Sequence, residues 1–414
     1  MARNYLYTLH VGADKRFKTI TSALKYADGL NIDSANRCKI LIDAGTYNEW
    51  LCGVHMTDYT YGAPLYVDAV KNNNGSNIPC YVDLYGNGGY ATIQYQRTIT
   101  NSQGISNWAA QLLAGIVRFN GDNYFNKIKI IQTGGAGLSM NGAVHESYAS
   151  DKQKLDFDGI NEFDDCEINV YHRTIVQVSN LKSPISYSIK NSTLKGCYGA
   201  ALYIYSNTHI DNCDLSCNYH TTHQEDGAFG LYIYRNCVIK NSSMQISTSA
   251  YESEYSAALM FFGGIRAPNP YGNYICDIKN VDIDVSYTLP NQIKSPNAYV
   301  FGILSGYFTK FSDEANFPNY NTNLIHAKNV NINLSGTEGG SGVAVRVAGI
   351  LNTGATKIFA DDTSINVERT GTNENGYCYS LRNIGSGFIK ESNCKYDNDI
   401  TNGTITKLGR AVFV

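Results

Sequence analysis

Hydrophobic and polar residues alternate with a period of two over many short stretches of this chain. Examples are Gly199-Ala200-Ala201-Leu202-Tyr203-Ile204-Tyr205, Leu231-Tyr232-Ile233-Tyr234, Ala298-Tyr299-Val300-Phe301 and Gly342-Val343-Ala344-Val345-Arg346-Val347. Such runs, rich in Ile, Val, Tyr and Phe and separated by turn residues, predict strands. Helical periodicity stands out once, at Thr19 to Ala27, where Phe17, Ile20, Ala23, Leu24 and Ala27 share a face just ahead of an expected first strand at Cys38-Lys39-Ile40-Leu41-Ile42.

A degenerate six-residue repeat accompanies the strands. Copies are read at 163–168, 189–194, 210–215, 239–244, 278–283, 327–332, 360–365 and 389–394. Their third positions are Asp165, Asn191, Asn212, Asn241, Asn280, Asn329, Asp362 and Glu391, and their starts are 26, 21, 29, 39, 49, 33 and 29 residues apart. Periods of about 20 to 50 residues mean stacked coils. Short intervals are read as one coil, long ones as one coil plus a loop or as two coils. Asn tolerates the left-handed conformation and bonds its own backbone, so an asparagine ladder is expected where each coil turns a corner. Together these signals predict an all-β chain folded as a parallel β-helix. The helix would cap its open N-terminal end, covering apolar interior and an unpaired strand edge. The organisation expected is a cap over 1–37, the β-helix over 38–400 and a C-terminal strand or tail over 401–414.

Composition narrows the partners. The chain has 414 residues, 43% hydrophobic, 12% aromatic and 17% charged, enough for a large core. Lys+Arg total 33 against Asp+Glu 36, so no basic stripe is available to neutralise phosphates, and nucleic acid is not expected as a partner. No apolar run reaches the roughly 18 residues of a membrane span, and the opening Met1-Ala2-Arg3-Asn4-Tyr5-Leu6-Tyr7 lacks the apolar segment of a secretory leader. The 11 cysteines are scattered, and the close pair Cys213 and Cys217 lacks zinc or redox spacing, so reduced thiols, no metal and no cofactor are expected.

The stretch Val11-Gly12-Ala13-Asp14-Lys15-Arg16-Phe17-Lys18-Thr19-Ile20-Thr21-Ser22-Ala23-Leu24, followed by Ile40-Leu41-Ile42-Asp43-Ala44-Gly45-Thr46-Tyr47-Asn48-Glu49, resembles the opening of the pectin-lyase-like right-handed parallel β-helix proteins. Pectinesterases and phage tailspikes are among them. The resemblance covers about a tenth of the chain and implies the fold, with about a dozen coils at roughly 4.8 Å each. Leu202-Tyr203-Ile204-Tyr205-Ser206-Asn207 resembles the pectinesterase segment that follows the catalytic Gln-Asp-Thr, but the position of the acid/base Asp is Ala200 here. Asp226-Gly227-Ala228-Phe229-Gly230 resembles the second motif with its nucleophilic Asp, and Leu408-Gly409-Arg410 the arginine motif, with Ala411 and Val412 in place of Pro-Trp. An Asp without its proton-transfer partner speaks against esterase chemistry.

Two candidate sites follow from the residues. Within His220-Thr221-Thr222-His223-Gln224-Glu225-Asp226, Glu225 and Asp226 with a carboxylate from a neighbouring coil could form the acid and base of a glycosidase, and the histidines could bind metal or abstract a proton, the alternative being a solvated loop. Asp156 and Asp158 lack the full ligand comb of a calcium loop. Tyrosine is in excess, at 32 residues. With Leu202, Ile204, Leu231 and Ile233 inward, Tyr203, Tyr205, Tyr232 and Tyr234 point outward as a stacking face for a glycan, the alternative being burial under a loop or between subunits.

The function expected is that of a tail-fibre or tailspike-like virion protein that recognises host surface polysaccharide. Its partners would be that polysaccharide and other virion proteins, and the resemblance to tailspikes implies a homotrimer. The alternatives are a polysaccharide-degrading lyase, hydrolase or pectinesterase-like enzyme, and a purely structural virion component. The cap begins too near the first residue for a separate particle-binding domain of the usual kind, so attachment would use the first few residues, the outer face or the region beyond Ile400.

Overall fold

The structure, a computed structural model, describes residues 3–51, 76–94, 116–119, 121–131, 144–146, 159–170, 173–177, 185–196, 200–204, 206–219, 227–233, 235–249, 260–267, 273–289, 297–306, 323–338, 344–370, 377–384, 386–396, 401–402 and 405–408. It forms two compact units, Met1–Leu194 and Lys195–Val414.

In the second unit, strands of two parallel sheets alternate along the chain. One sheet holds Cys237–Ser249, Ile275–Leu289 and Leu324–Glu338, paired in that order; the other holds Gly227–Ile233, Met260–Ala267, Asn297–Ser305 and Ala344–Asn352. A strand from one sheet followed by a strand from the other, each paired in parallel with its equivalent one coil later, is a β-helix. The first unit repeats the scheme with Tyr5–Val11, Arg37–Asn48, Val82–Gln94, Tyr124–Asn126 and Ile160–Asp164 on one sheet, and Val117–Phe119, Val144–Glu146 and Ile175–Gln177 on the other. The fold class is therefore all-β and the architecture a parallel β-helix.

The first rung starts earlier than the sequence suggests. Strand Tyr5–Val11 already pairs in parallel with Arg37–Asn48, so Cys38–Ile42 lies in the second strand of the sheet. The helix, Ile20–Asp28, is inserted between these two strands and packs its buried Ile20, Ala23, Leu24 and Ala27 against them. Thr19 caps it, its hydroxyl accepting from the Ser22 amide at 3.1 Å. Glu49 adds a second cap, taking the amides of Ile20 and Thr21 at 2.8 and 2.7 Å, which places a carboxylate at the positive end of the helix. The Gly-x-Tyr-x-Glu element of the opening thus ends in a helix cap.

The corner asparagines occupy the left-handed region. Asp165 and Asn191 in the first unit, and Asn212, Asn241, Asn280, Asn329 and Asp362 in the second, have φ between 48° and 54°. Asn241 Nδ2 donates to Asp211 at 2.9 Å, Asn280 to Asn241 at 2.9 Å, and Asn329 to Asn280 at 2.9 Å. These bonds show that the 39- and 49-residue intervals are one coil each. The eighth copy is corrected by two residues. Asn393, at φ 54°, is the corner and donates to Asp362 at 2.5 Å, while Glu391 pairs with Ala360 and lies 6% exposed in the inward column. A further corner in the first unit carries Lys127, at φ 53°.

Apolar columns fill the interior. In the second unit these are Leu231, Ile265, Ile303, Ile350 and Leu381 on one sheet, and Leu215, Met244, Ile283, Ile332 and Ile365 on the other. Where the sheets come closest, Gly264, Gly302 and Gly349 form a column. A Cβ on Gly302 would lie 2.4 Å from Ile332 Cγ2, so a methyl there has no room. Among the described residues no cysteine is in a disulfide, and burial pushes the Cys38 and Cys166 thiols up to about 12.

Candidate functional site

Four triplets of the first unit have an inward apolar residue flanked by two outward ones: Asp83-Leu84-Tyr85, Tyr124-Phe125-Asn126, Glu162-Phe163-Asp164 and Ser188-Ile189-Lys190. Parallel register sets them side by side, with Tyr85 opposite Asn126, Tyr124 opposite Glu162, Glu162 opposite Ser188, and Asp164 opposite Lys190. The outer face so formed bears a cleft of about 240 Å³ lined by Arg3, Tyr5, Tyr85, Tyr124, Glu162, Asp164, Ser188 and Lys190 with the edge of Phe163.

The cleft is aromatic on one side and polar on the other. Tyr85 meets Tyr5 edge-on at 6.1 Å and Tyr124 edge-on at 5.1 Å between centroids. Lys39 places its ammonium 4.0 Å from the Tyr85 ring centre. Tyr5 and Tyr85 share a 2.6 Å hydroxyl–hydroxyl bond, and the Tyr124 hydroxyl donates to Asp164 Oδ2 at 3.1 Å. Burial, then the charge of Asp83, holds the Tyr5 phenol well above its ordinary value. Burial does the same at Tyr85, and burial followed by the charge of Asp164 at Tyr124. All three rings are therefore neutral hydroxyl carriers throughout the physiological range.

A charged cluster stands behind them. Asp83 is fully buried and takes Arg37 in a two-point contact, Nε to Oδ2 at 3.0 Å and Nη2 to Oδ1 at 2.8 Å. Arg37 also reaches Asp122 at 3.1 Å. Burial alone would lower the Arg37 pKa; the hydrogen bonds and charges of Asp83 and Asp122 outweigh it and raise the value. Arg3 crosses the cleft floor, donating to Asp83 at 3.2 Å, Glu162 at 3.0 Å and the Ile160 carbonyl at 3.2 Å.

No protein family and no curated protein matches the chain. Solved structures similar to it include the pectin methylesterase of Aspergillus niger in deglycosylated form, at 14% identity and a TM-score of 0.40 over 72% of this chain and 84% of that one. The same enzyme with an N-acetylglucosamine stub is 16% identical, at TM-score 0.40, over 72% and 85%. Pectin methylesterase PemA of Erwinia chrysanthemi is 13% identical, at TM-score 0.36, over 97% and 94%. At these scores the fold rests on the strand register of this chain itself.

The residues singled out from the sequence fare differently. Glu225, Asp226, Tyr205 and Tyr234 lie outside the described residues, as do Asp156 and Asp158. Tyr203 and Tyr232 are register partners and stack face to face at 4.6 Å with 6° between their planes. They do so inside an apolar cluster with Phe229, Tyr299, Phe301, Leu304, Ala348 and Leu351, and Tyr232 is only 7% exposed. Arg266, itself buried, sits 5.0 Å from the Tyr232 ring centre and 5.1 Å from that of Phe229. The two rings thus cover each other, and a single chain suffices to bury Tyr232. The first-unit cleft was missed because the repeat was anchored on Asn, whereas the coil preceding Asp165 turns on Lys127. The visible signal was the outward–inward–outward triplet.

Proposed function

We propose that this chain recognises a glycan through the cleft of Tyr5, Tyr85 and Tyr124, in the setting of a tail-fibre or tailspike-like virion protein, as a homotrimer acting on host surface polysaccharide. The observation that carries the glycan assignment is the cleft itself. It combines three half-buried phenol rings, which suit the apolar face of a sugar, with Glu162, Asp164, Ser188 and Lys190, which suit its hydroxyls and substituents. The virion setting is supported by the sequence resemblance to tailspikes and by Ala200 in place of an esterase acid. Lys190 adds a preference. Lys129 and Glu167, register partners, close an ion pair at 2.6 Å, and Lys328 and Asp361 do so at 3.4 Å. Lys190 faces Asp164 in the same register, yet Asp164 is bonded to Tyr124 and to Asn191 at 2.8 Å, and Lys190 makes no ion pair among the described residues. Lys240 opposite Asp211 also makes no ion pair among the described residues, and it is not part of this cleft. A cation without an ion pair among the described residues, lining this cleft, suits a glycan with an acidic substituent.

The test is size-exclusion chromatography of envelope polysaccharides from candidate hosts with the wild-type chain and with Tyr85→Ala. Co-elution with intact polymer, strongly reduced by Tyr85→Ala, is the expected result. Co-elution unaffected by Tyr85→Ala places the binding elsewhere. No co-elution with any polymer favours the purely structural virion role. A second reading, cleavage of the bound polymer, has one observation in its favour: Glu162 and Asp164, two apart on one strand, project to the same side with Cα atoms roughly 6.6 Å apart. Shortened polymer would establish it.

A further inference from the structure

Asp83 does not line the cleft, but three residues that do are bonded to it. Its Oδ1 accepts from Arg3 Nη1 at 3.2 Å, from Arg37 Nη2 at 2.8 Å and from the backbone amide of Tyr124 at 2.8 Å. Its Oδ2 accepts from the Tyr5 hydroxyl at 2.9 Å and Arg37 Nε at 3.0 Å, with a longer contact from Arg3 Nη1 at 3.4 Å. The donors come from the first strand and its lead-in, the second strand and strand Tyr124–Asn126, so one carboxylate ties together parts of the chain as far apart as Arg3 and Tyr124.

Such a centre is a poor device for stability alone. A buried ion pair loses solvation on both sides, and a well-packed apolar replacement is often as stable or more so. What the carboxylate supplies is placement. Without it the Tyr5 hydroxyl keeps the Tyr85 hydroxyl as its partner among the described residues, the Tyr124 amide loses its acceptor, and the Arg3 guanidinium, whose Nη2 and Nε reach Glu162, is left at its Nη1 end with the longer 3.6 Å contact to Asp122.

We propose that Asp83 is the positioning residue of this cleft: a fully buried carboxylate that sets Tyr5, Tyr124 and Arg3 in the geometry in which they meet a glycan. The inference rests on the glycan reading above. Loss of the charge at position 83 leaves Arg37 buried with Asp122 as its remaining carboxylate, so it is expected to lower stability as well as affinity, and the mark of the positioning role is that the affinity loss runs through Tyr5.

The experiment is a double-mutant cycle on affinity, read by isothermal titration with oligosaccharides from a glycan array that retain the wild-type chain, with thermal melting of each variant alongside. Asp83→Asn is expected to weaken binding about tenfold, and Tyr5→Phe, which leaves every Asp83 ion pair intact, about threefold. The double variant is expected to be no worse than Asp83→Asn alone, because the two share one path. A product of about thirtyfold would mean independent effects and overturn the positioning role. Unchanged affinity in Asp83→Asn, with Tyr85→Ala still strongly weakening binding, would overturn it while the glycan reading stands. Should Asp83→Asn fail to fold, Tyr5→Phe decides: a threefold loss supports the role and no loss overturns it. Array binding that survives Tyr85→Ala unchanged, or no array binding by the wild type, overturns the glycan reading and this inference with it.

Discussion

Two groups of outward tyrosines, one in each unit, reach opposite ends. In the first unit Tyr5, Tyr85 and Tyr124 stand edge to edge, anchored by Asp83 and Asp164, and leave a cleft between them and the carboxylates. In the second unit Tyr203 and Tyr232 lie flat on each other among Phe229, Phe301 and Leu304. Both groups satisfy the same period-two rule. The difference lies in the residues beside them on neighbouring coils. In the first unit Asp83 and Asp164 hold rings by their hydroxyls and keep them apart, whereas in the second the rings collapse with Phe229, Phe301 and Leu304 into a second layer outside the coil, and the cation there, Arg266, lies over ring faces. Facing outward on a strand is thus no statement about exposure.

The comparison breaks most sharply at Tyr232. Replacing a buried ring by Ala removes its packing and leaves a cavity, so Tyr232→Ala should cost about 3 kcal/mol of stability by chemical denaturation. Polysaccharide co-elution should be unaffected in a sample that remains folded. Loss of co-elution with stability intact would return the glycan face to the Tyr203 and Tyr232 pair. The reverse pattern is expected at Tyr85, half-buried at the cleft: Tyr85→Ala should weaken binding by about 2 kcal/mol, roughly thirtyfold, with a smaller change in melting.

Alkali acts on both units, since raised thiols lie in each. The Tyr5, Tyr85 and Tyr124 phenols are raised above the ordinary 10.0, and the Cys38 and Cys166 thiols from 9.0 to about 12. A group whose folded pKa exceeds its unfolded value contributes stability that is complete below the unfolded pKa and lost as pH rises toward the folded one. Melting temperature should therefore be level from about pH 6 to 7.5, then fall from about pH 8, where unfolded thiols begin to ionise, and more steeply above about pH 9.5 with the phenols. Cys38→Ala combined with Cys166→Ala should make the first part of the fall shallower without abolishing it, since the Cys237 and Cys394 thiols are raised by burial too. A level profile to pH 11 would contradict these shifts.

How far the sequence reveals this molecule depends on the range of the forces involved. Corner residues answer to local backbone sterics, so Asn191, Asn212, Asn241, Asn280 and Asn329 were legible one by one. The eighth corner was misread because Ile389-Lys390 imitates the Ile-Lys-Asn of earlier copies, and because a carboxylate at 391 is not expected in a column where other coils carry Ala327 and Ala360. The helix face was legible from periodicity, but not its second cap, since Glu49 arrives from 29 residues away. The cleft was the least legible part. Its floor is made by Arg3 reaching Glu162 across 159 residues, a contact that depends on the register of every coil between.

The smallest effect concerns Lys190 and sharpens the comparison at the level of single charges. An exposed pair such as Lys328 and Asp361 is screened by solvent and salt, and Lys328→Ala should alter neither binding nor its salt dependence. Lys190 sits at the cleft with its register partner Asp164 engaged by Tyr124 and Asn191. Lys190→Ala should lower affinity about threefold for an oligosaccharide bearing a carboxylate and leave a neutral oligosaccharide unchanged, with the acidic glycan alone losing affinity as salt rises. Equal losses for both oligosaccharides would mean that Lys190 contributes packing through its methylene stem rather than charge. The cleft would then read sugars by shape and hydroxyls, and the contrast with Lys328 would concern burial instead of sign.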